Sequence, residues 1–421
     1  MKVMTIPEFY ERRFGRGVRI LGGVILVFSG ILNMGMFLKA GSIFVMGITG
    51  MTSELELKVI MTTLLAMVLL YTTLGGMVSV VVSDYIQFVL LSFSLLAMCI
   101  LSVKQLSWQS IVETVSLLKG QAGFDPFHGE GFGGSYVVWM FFLGLVNCAI
   151  WQTAVIRACS AESIRVVKRL YAWSSIGFLI RNLLPCFLGI SALVYIAHNP
   201  SLKEVFLPEG AEADPQLTLM AMPVFLSQIL PVGLLGFVTA GMLAAFMSTH
   251  DSYLLCWSSV VTQDVVAPCF KKGLSSKTRL LLTRIFIVAI GIFILVWGLW
   301  YPLGQDLWDY MAISGAIYFT GAISLLIFGL YWKHASKVGA YLALISGFCA
   351  VVGLKPVRDL GFCLASVLGL DTVRAQAYVN SIPSAKLSAI VGLTIIALSM
   401  VLMVAGSLIF PDRGPSVKHK E

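Results

Sequence analysis

Charge is what this 421-residue chain has least of: Asp, Glu, Lys and Arg together make up 12% of it, against about a quarter in an ordinary soluble domain. A water-facing surface cannot be built from so few charges. With 58% apolar side chains and a mean hydropathy of +0.90, the chain belongs in lipid. Histidine is scarce as well, at five residues (His128, His198, His250, His334, His419). The eight cysteines (Cys99, Cys148, Cys159, Cys186, Cys256, Cys269, Cys349, Cys363) form no Cys-x-x-Cys. Nearly all lie in or at the ends of apolar runs and read as buried small hydrophobes rather than disulfides or metal ligands. A signal peptide is missing too: residues 1–17, with Pro7-Glu-Phe-Tyr-Glu-Arg-Arg-Phe-Gly15, are polar where a short apolar core would be needed, and read as a cytoplasmic loop. The formal charge of +8 is spread along the chain rather than gathered on one amphipathic segment, which argues against a nucleic-acid partner.

What is present in quantity is membrane-length apolar sequence. Windows able to cross a hydrocarbon layer of about 30 Å fall near residues 18–47, 57–75, 83–103, 134–158, 168–197, 231–262, 281–301, 308–331, 338–354 and 385–410, with a further element at 217–230. Ten spans place both ends of the chain on one side. If that side is cytoplasmic, 19 of the 29 Lys and Arg fall inside: Lys2, Arg12, Arg13, Arg16, Arg19, Arg157, Arg165, Lys168, Arg169, Lys271, Lys272, Lys277, Arg279, Arg284, Lys333, Lys337, Arg413, Lys418 and Lys420. The opposite side holds Lys58, Lys104, Lys119, Lys203, Lys355, Arg358, Arg374 and Lys386, and its loop 199–216 is net acidic through Glu204, Glu209, Glu212 and Asp214. The bias predicts a multi-pass protein of the plasma (inner) membrane with both termini cytoplasmic.

Within the run Gly241-Met-Leu-Ala-Ala-Phe-Met-Ser-Thr-His-Asp251, the adjacent hydroxyls Ser248 and Thr249 sit in the middle of an apolar helix. They can bond back to carbonyls one turn earlier, as most membrane Ser and Thr do. They can also meet a small hard cation such as sodium, with a loosened backbone carbonyl completing the set. His250-Asp251 beside Ser248 superficially resembles a nucleophile and base, but neighbours one or two apart point to different faces of a helix, which argues against an enzyme.

Four segments carry a family resemblance in order. Thr5-Ile-Pro-Glu-Phe-Tyr-Glu-Arg-Arg-Phe-Gly15 is similar to a "TiPEFxxxRFg" loop, and Gly75-Gly-Met-Val-Ser-Val-Val-Val-Ser-Asp84-Tyr-Ile-Gln87 to "GGxxAVxxTDxxQ". Gln152 through Arg157-Ala-Cys-Ser-Ala161 resembles "QxxxxRxxsA", and Gly241 through Ser248-Thr249 to Thr262-Gln-Asp264 resembles "AgxxAAxxSTxxSxL...TxD". Together they resemble the sodium:solute symporter family, over essentially the whole chain. The resemblance implies an all-α polytopic membrane protein of about ten transmembrane helices, with the inverted-repeat, leucine-transporter-type core that binds substrate and sodium near the midplane where helices break. It implies one membrane domain, 1–421: a cytoplasmic loop 1–17, the remainder of the first repeat at 18–103, a second repeat at 134–331, two peripheral helices at 338–410 and a cytoplasmic tail 411–421. In the family three helices precede the "TiPEF" loop. An incomplete first repeat is therefore expected, and with it the alternative of a truncated or mis-started homologue that does not transport.

By the same resemblance, the Ala245 carbonyl and the Ser248 and Thr249 hydroxyls are the expected sodium ligands, and Asp84 holds the ion transiently on release. Ser83-Asp84 reads equally as an N-cap of a helix beginning there. Arg157 reads as a structural cation at a helix end, and Asp264 as an intracellular tether to a neighbouring Lys or Arg. Aligned on Gln152 and Arg157, the positions that hold Asn and Tyr in sugar-transporting members fall at Gly144 and Asn147, and the sugar members' Lys falls at Phe178. Gly144, Asn147, Gln152 and Arg181 are the expected substrate lining. Arg181 is either an anchor for a carboxylate or a snorkelling side chain. The expected activity is sodium-coupled symport of a small organic solute, a small carboxylate or zwitterion being favoured over a sugar. The expected partners are sodium, the solute and the bilayer, with no cofactor and no metal beyond sodium.

Overall fold

The computed structural model describes residues 3–128, 132–208, 215–270, 273–301, 306–368 and 372–412, and every regular element among them is helical. Of the loop residues behind the charge pattern, Lys2, Glu209, Glu212, Asp214, Lys271, Lys272, Arg413, Lys418 and Lys420 lie outside the described residues.

The polar start is a helix. In α1 (Ile6–Phe14) the Thr5 hydroxyl accepts from the Glu8 amide at 3.2 Å, Pro7 sits in the first turn, and Gly15 at φ 101° ends it. Its apolar side, Ile6, Phe9, Tyr10 and Phe14, is buried against the membrane helices. The segment read as a cytoplasmic loop thus contains a helix docked on the bundle. Burial also pushes the Tyr10 phenol well above its usual range, which keeps it a neutral partner for the Tyr318 hydroxyl at 3.0 Å.

α2 (Arg16–Thr49) and α12 (Leu307–Tyr331) form the buried centre, and the other spans are mostly lipid-facing. α3 (Glu54–Leu106) is one helical run of 53 residues, about 80 Å at 1.5 Å per residue, far too long for a single span. α10 (Val232–Val260) and α11 (Ser276–Trp300) run antiparallel, tied at their joined ends by a Thr283 to Thr262 hydroxyl bond of 3.3 Å. The first half of α3 follows α11, with Met61 at Gly298 and Leu69 at Gly291. The second half follows α10 the other way, with Asp84 at Ser248 and Ser94 at Gly241. The two halves therefore run in opposite directions and supply two candidate spans, Glu54–Gly75 and Val80–Leu106. Asp84 lies inside this helix, not at its start, so the N-cap reading is overturned: Ser53 is the cap.

The short α4 (Trp108–Lys119) follows. The expected span 134–158 is broken. α5 (Gly133–Ile150) stops at Trp151, whose φ of −68° and ψ of 116° are extended, and α6 (Gln152–Cys159) restarts at once. Beyond it come α7 (Ile164–His198), α8 (Pro200–Phe206) and α9 (Pro215–Ile229), the last being the expected further element. α13 (Lys337–Phe348) continues as a tight turn to Gly353 and then bends by 91° into α14 (Lys355–Val367). α15 (Val373–Ser381) and α16 (Ser384–Ile409) complete the chain. α12 and α13 touch backbone to backbone: a Cβ on Gly321 would lie 2.6 Å from the Ala343 carbonyl oxygen, and one on Gly347 2.7 Å from the Gly321 Cα. Small residues at membrane helix seams allow such contact. Among the described residues there are nine membrane-length apolar helices, ten if the bent pair counts as one.

The cysteine expectation is corrected in part. All eight are free, but only Cys99 and Cys256 are buried. The other six are exposed, and those that face acyl chains meet surroundings as apolar as a protein core.

Candidate functional site

The paired hydroxyls do different things. Thr249 bonds back to the Ala245 carbonyl at 2.9 Å, the ordinary behaviour of a helix hydroxyl. Ser248 instead donates across to Asp84 of α3. The other Asp84 oxygen takes the Arg157 guanidinium of α6 at 2.6 Å, and Arg157 also donates to the Ser252 hydroxyl at 2.7 Å. Three separate elements therefore meet in one half-exposed polar cluster. Ala245, Ser248, Thr249 and Asp84 place a carbonyl, two hydroxyls and a carboxylate within about one helical turn, the hard-oxygen chemistry that a sodium ion takes. Arg157 is more than a helix-end charge, since it pairs with the Asp84 carboxylate.

A second feature opens where the helix breaks. A cavity of about 120 Å³ is lined by Asn33 of α2, Leu143 and Asn147 of α5, Trp151, Tyr253 of α10, and Trp308, Met311, Ala312, Gly315 and Phe319 of α12. Trp151 is held by tertiary contacts: its indole N–H donates to the Tyr253 hydroxyl at 3.1 Å, and its ring meets Trp257 and Phe319, each at 5.0 Å between centroids. The Asn33 amide N–H group is committed to the Met311 carbonyl and the Ser314 hydroxyl, both at 3.0 Å, which leaves its carbonyl oxygen as an acceptor. The lining has amides and aromatic rings and no ionised side chain.

Of the four residues expected to line a substrate site, the structure brings one to this cavity, Asn147. Gly144 is exposed one turn earlier with nothing within 4 Å of a Cβ there. Gln152 is completely buried elsewhere: its side-chain oxygen accepts from the Ile6 amide at 3.1 Å and its amide donates to the Met4 carbonyl at 3.4 Å, so it ties down the start of α1. Its place in the lining is withdrawn, because both ends of its amide are already used. Arg181 is exposed on α7, with its guanidinium 5.7 Å from the Phe178 ring, and is not among the residues that line the cavity.

Asp264 is the tether expected of it. Its carboxylate is buried and takes the Arg19 guanidinium at 2.8 Å and the Thr5 hydroxyl at 2.9 Å, while Arg19 also pairs with Glu11 and donates to the Gln263 carbonyl at 2.9 Å. Residues from three of the four sequence motifs, Thr5, Gln152 and Asp264, thus meet at one junction around α1. The nucleophile-like trio is dismantled. His250 directs its Nδ1 to the Phe246 carbonyl at 2.9 Å, and Asp251 receives the Tyr71 hydroxyl at 2.6 Å. Neither contacts Ser248 as a relay would require.

A family model, the sodium:solute symporter family, matches residues 1–347. The chain belongs to that family. Its relatives include sodium/proline symporter 2 of Staphylococcus saprophyticus, 25% identical over 85% of this chain and 68% of that one, and the high-affinity proline transporter PutP of Bacillus subtilis, 25% identical over 83% and 70%. The human sodium/myo-inositol cotransporter is 26% identical over 82% of this chain and 52% of its own length, so the chain spans about half of that relative. Among solved structures, a sodium-coupled sialic acid symporter in a substrate-bound, outward-open state superposes with a TM-score of 0.73 at 19% identity, covering 98% of this chain and 79% of that one. That likeness shows the leucine-transporter-type fold. Family membership assigns the chain to sodium-coupled solute symport, a transporter function and not an enzymatic one.

Proposed function

We propose that this symporter binds sodium on Ala245, Ser248 and Thr249 with Asp84 alongside, and moves a compact zwitterion through the cavity at Trp151. The observation that carries the reading is the meeting of Ser248 with Asp84: a hydroxyl next to a carboxylate, one turn from the Ala245 carbonyl that Thr249 holds, is a cation-binding pattern, and Arg157 already supplies a cation to the same carboxylate. Sodium entering beside Ser248 relieves Asp84 of its dependence on Arg157. The α3, α6 and α10 contacts then respond together to the ion, which is how ion binding biases one of two conformations. Release toward a cytoplasm at negative potential gains about 2.3 kcal/mol per charge per 100 mV.

The cavity favours a net-neutral solute. Its amides and ring faces can hold a zwitterion's ammonium and apolar body, while a lone carboxylate would find no ionised partner in the lining. Two relatives are named for proline, which is such a zwitterion. The test is uptake into proteoliposomes under an inward sodium gradient, with proline, myo-inositol, glucose, sialic acid and acetate as competitors. Competition by proline and not by acetate supports the reading, and competition by myo-inositol or glucose alone replaces it with a polyol reading. Uptake unaffected by collapsing the sodium gradient removes the sodium assignment.

A further inference from the structure

We propose that α14 is an in-plane membrane helix, seated at the headgroup boundary of the leaflet that the charge bias makes external, with its apolar face in the acyl chains. Three observations fix the partner as lipid. α14 leaves α13 at 91°, so if α13 crosses the bilayer, α14 runs along it. Leu360, Leu364, Val367 and Leu368 are exposed by 59, 56, 78 and 78%, and their i, i+4, i+7, i+8 spacing puts them on one helix face. Lys355, Arg358 and Asp359 fall on the opposite face by the same periodicity. A helix with charge on one side and an uncovered stripe of large apolar side chains on the other is the form that lies in a membrane interface.

The depth is right as well. Gly353, just before the bend, packs on Ile313 of α12 and Val391 of α16. These lie six and seven residues in from the starts of their helices at Leu307 and Ser384, or about 10 Å at 1.5 Å per residue. α14 therefore emerges below the ends of its neighbours, at the level of the interfacial layer, and not above them in water. The exposed Ile345 and Phe348 on α13, and Val352 in the turn after it, lead into the stripe, so it continues the lipid-facing surface of the bundle. The chain returns to the same face at Ser384, whose hydroxyl bonds Asp309 at 2.7 Å, which keeps α14 and α15 on one side of the membrane.

The test uses the unmodified full-length chain in vesicles of phosphatidylcholine and phosphatidylglycerol that carry a photoreactive acyl chain. Peptide mass spectrometry after illumination should find adducts on Leu360, Leu364, Val367 and Leu368 and none on Asp359 or Ser366. A peptide 355–368 without adducts, or adducts without helical periodicity, overturns the proposal. Spin labels at Leu364→Cys and Ser366→Cys, in a background with the native cysteines replaced, give an independent reading: residue 364 should collide with oxygen and 366 with a water-soluble nickel chelate. Intermolecular spin broadening at 364 would put a second copy on this face, and adducts that vanish on adding sodium and proline would make α14 a lid over the cavity. Either result displaces the lipid assignment.

Discussion

Ser248 and Thr249 have the same chemistry and opposite contacts, and the difference can be measured. Thr249 bonds only within its own helix, while Ser248 reaches Asp84. Removing either hydroxyl takes one oxygen from the proposed ion shell, and a contact to a charged group is worth roughly 1.5–3 kcal/mol. The sodium concentration for half-maximal uptake should therefore rise at least about tenfold in Ser248→Ala and in Thr249→Ala, with insertion into the membrane unchanged. An unaltered sodium dependence in the double variant would sink the assignment. Arg157→Gln should act in the opposite direction: with its resident cation gone, Asp84 should bind sodium more tightly and release it more slowly, seen as a lower half-saturating concentration together with slower turnover. Equal loss of both affinity and turnover would mean that Arg157 is structural.

Helix α2 and the helical turns 261–266 that continue α10 are held together by a buried ion pair in which the Asp264 side chain is fully covered and that of Arg19 is 17% exposed. Leaving one partner of a buried pair alone costs about 3–5 kcal/mol, more than replacing both. Arg19→Met should therefore lower the thermal midpoint of the detergent-solubilised protein well below that of the Arg19→Met, Asp264→Leu double variant, and equal midpoints would refute a coupled pair. The seam between α12 and α13 gives a second measure. A methyl on Gly347 meets backbone atoms that cannot rotate away, so Gly347→Ala should destabilise by about 1–3 kcal/mol as overpacking does, whereas Gly144→Ala, in open space, should change little. Thermal unfolding of the two variants side by side decides this.

For the molecule as a unit, orientation is the property that the charge pattern predicts. A cysteine at Glu204, in α8 on the acidic side, should react with an impermeant thiol reagent added outside intact cells, and one at Lys277, at the start of α11, should not. The reverse pattern would invert the topology and move α14 to the inner leaflet. Buried acids outside the sodium cluster show how the bundle is closed: Asp309 of α12 collects hydroxyl bonds from Ser384 at 2.7 Å, Ser388 at 3.2 Å and Tyr136 at 3.4 Å, joining α16 and α5 to the centre.

Span count, helical class and family were legible in the residues because each rests on local signals: apolar length and short motifs read in order. The tether at Asp264 was legible for the same reason, as part of a motif at a helix end. The break at Trp151 was not, since neither proline nor glycine marks it, and the extended backbone there is held by Tyr253, Trp257 and Phe319 from helices about 100 residues or more away. The cavity lining was hidden with it: Asn33, Tyr253 and Trp308 share no sequence neighbourhood and meet only when α2, α10 and α12 pack. Gln152 was misplaced because spacing within a motif reports that a residue matters and not which partner it takes, and here α1 reaches its amide first. Local chemistry set which segments enter the membrane and where their polar groups lie along each helix. Packing set which of those groups face one another, because a helix fixes its own hydrogen bonds but not the neighbour against which its polar face comes to rest.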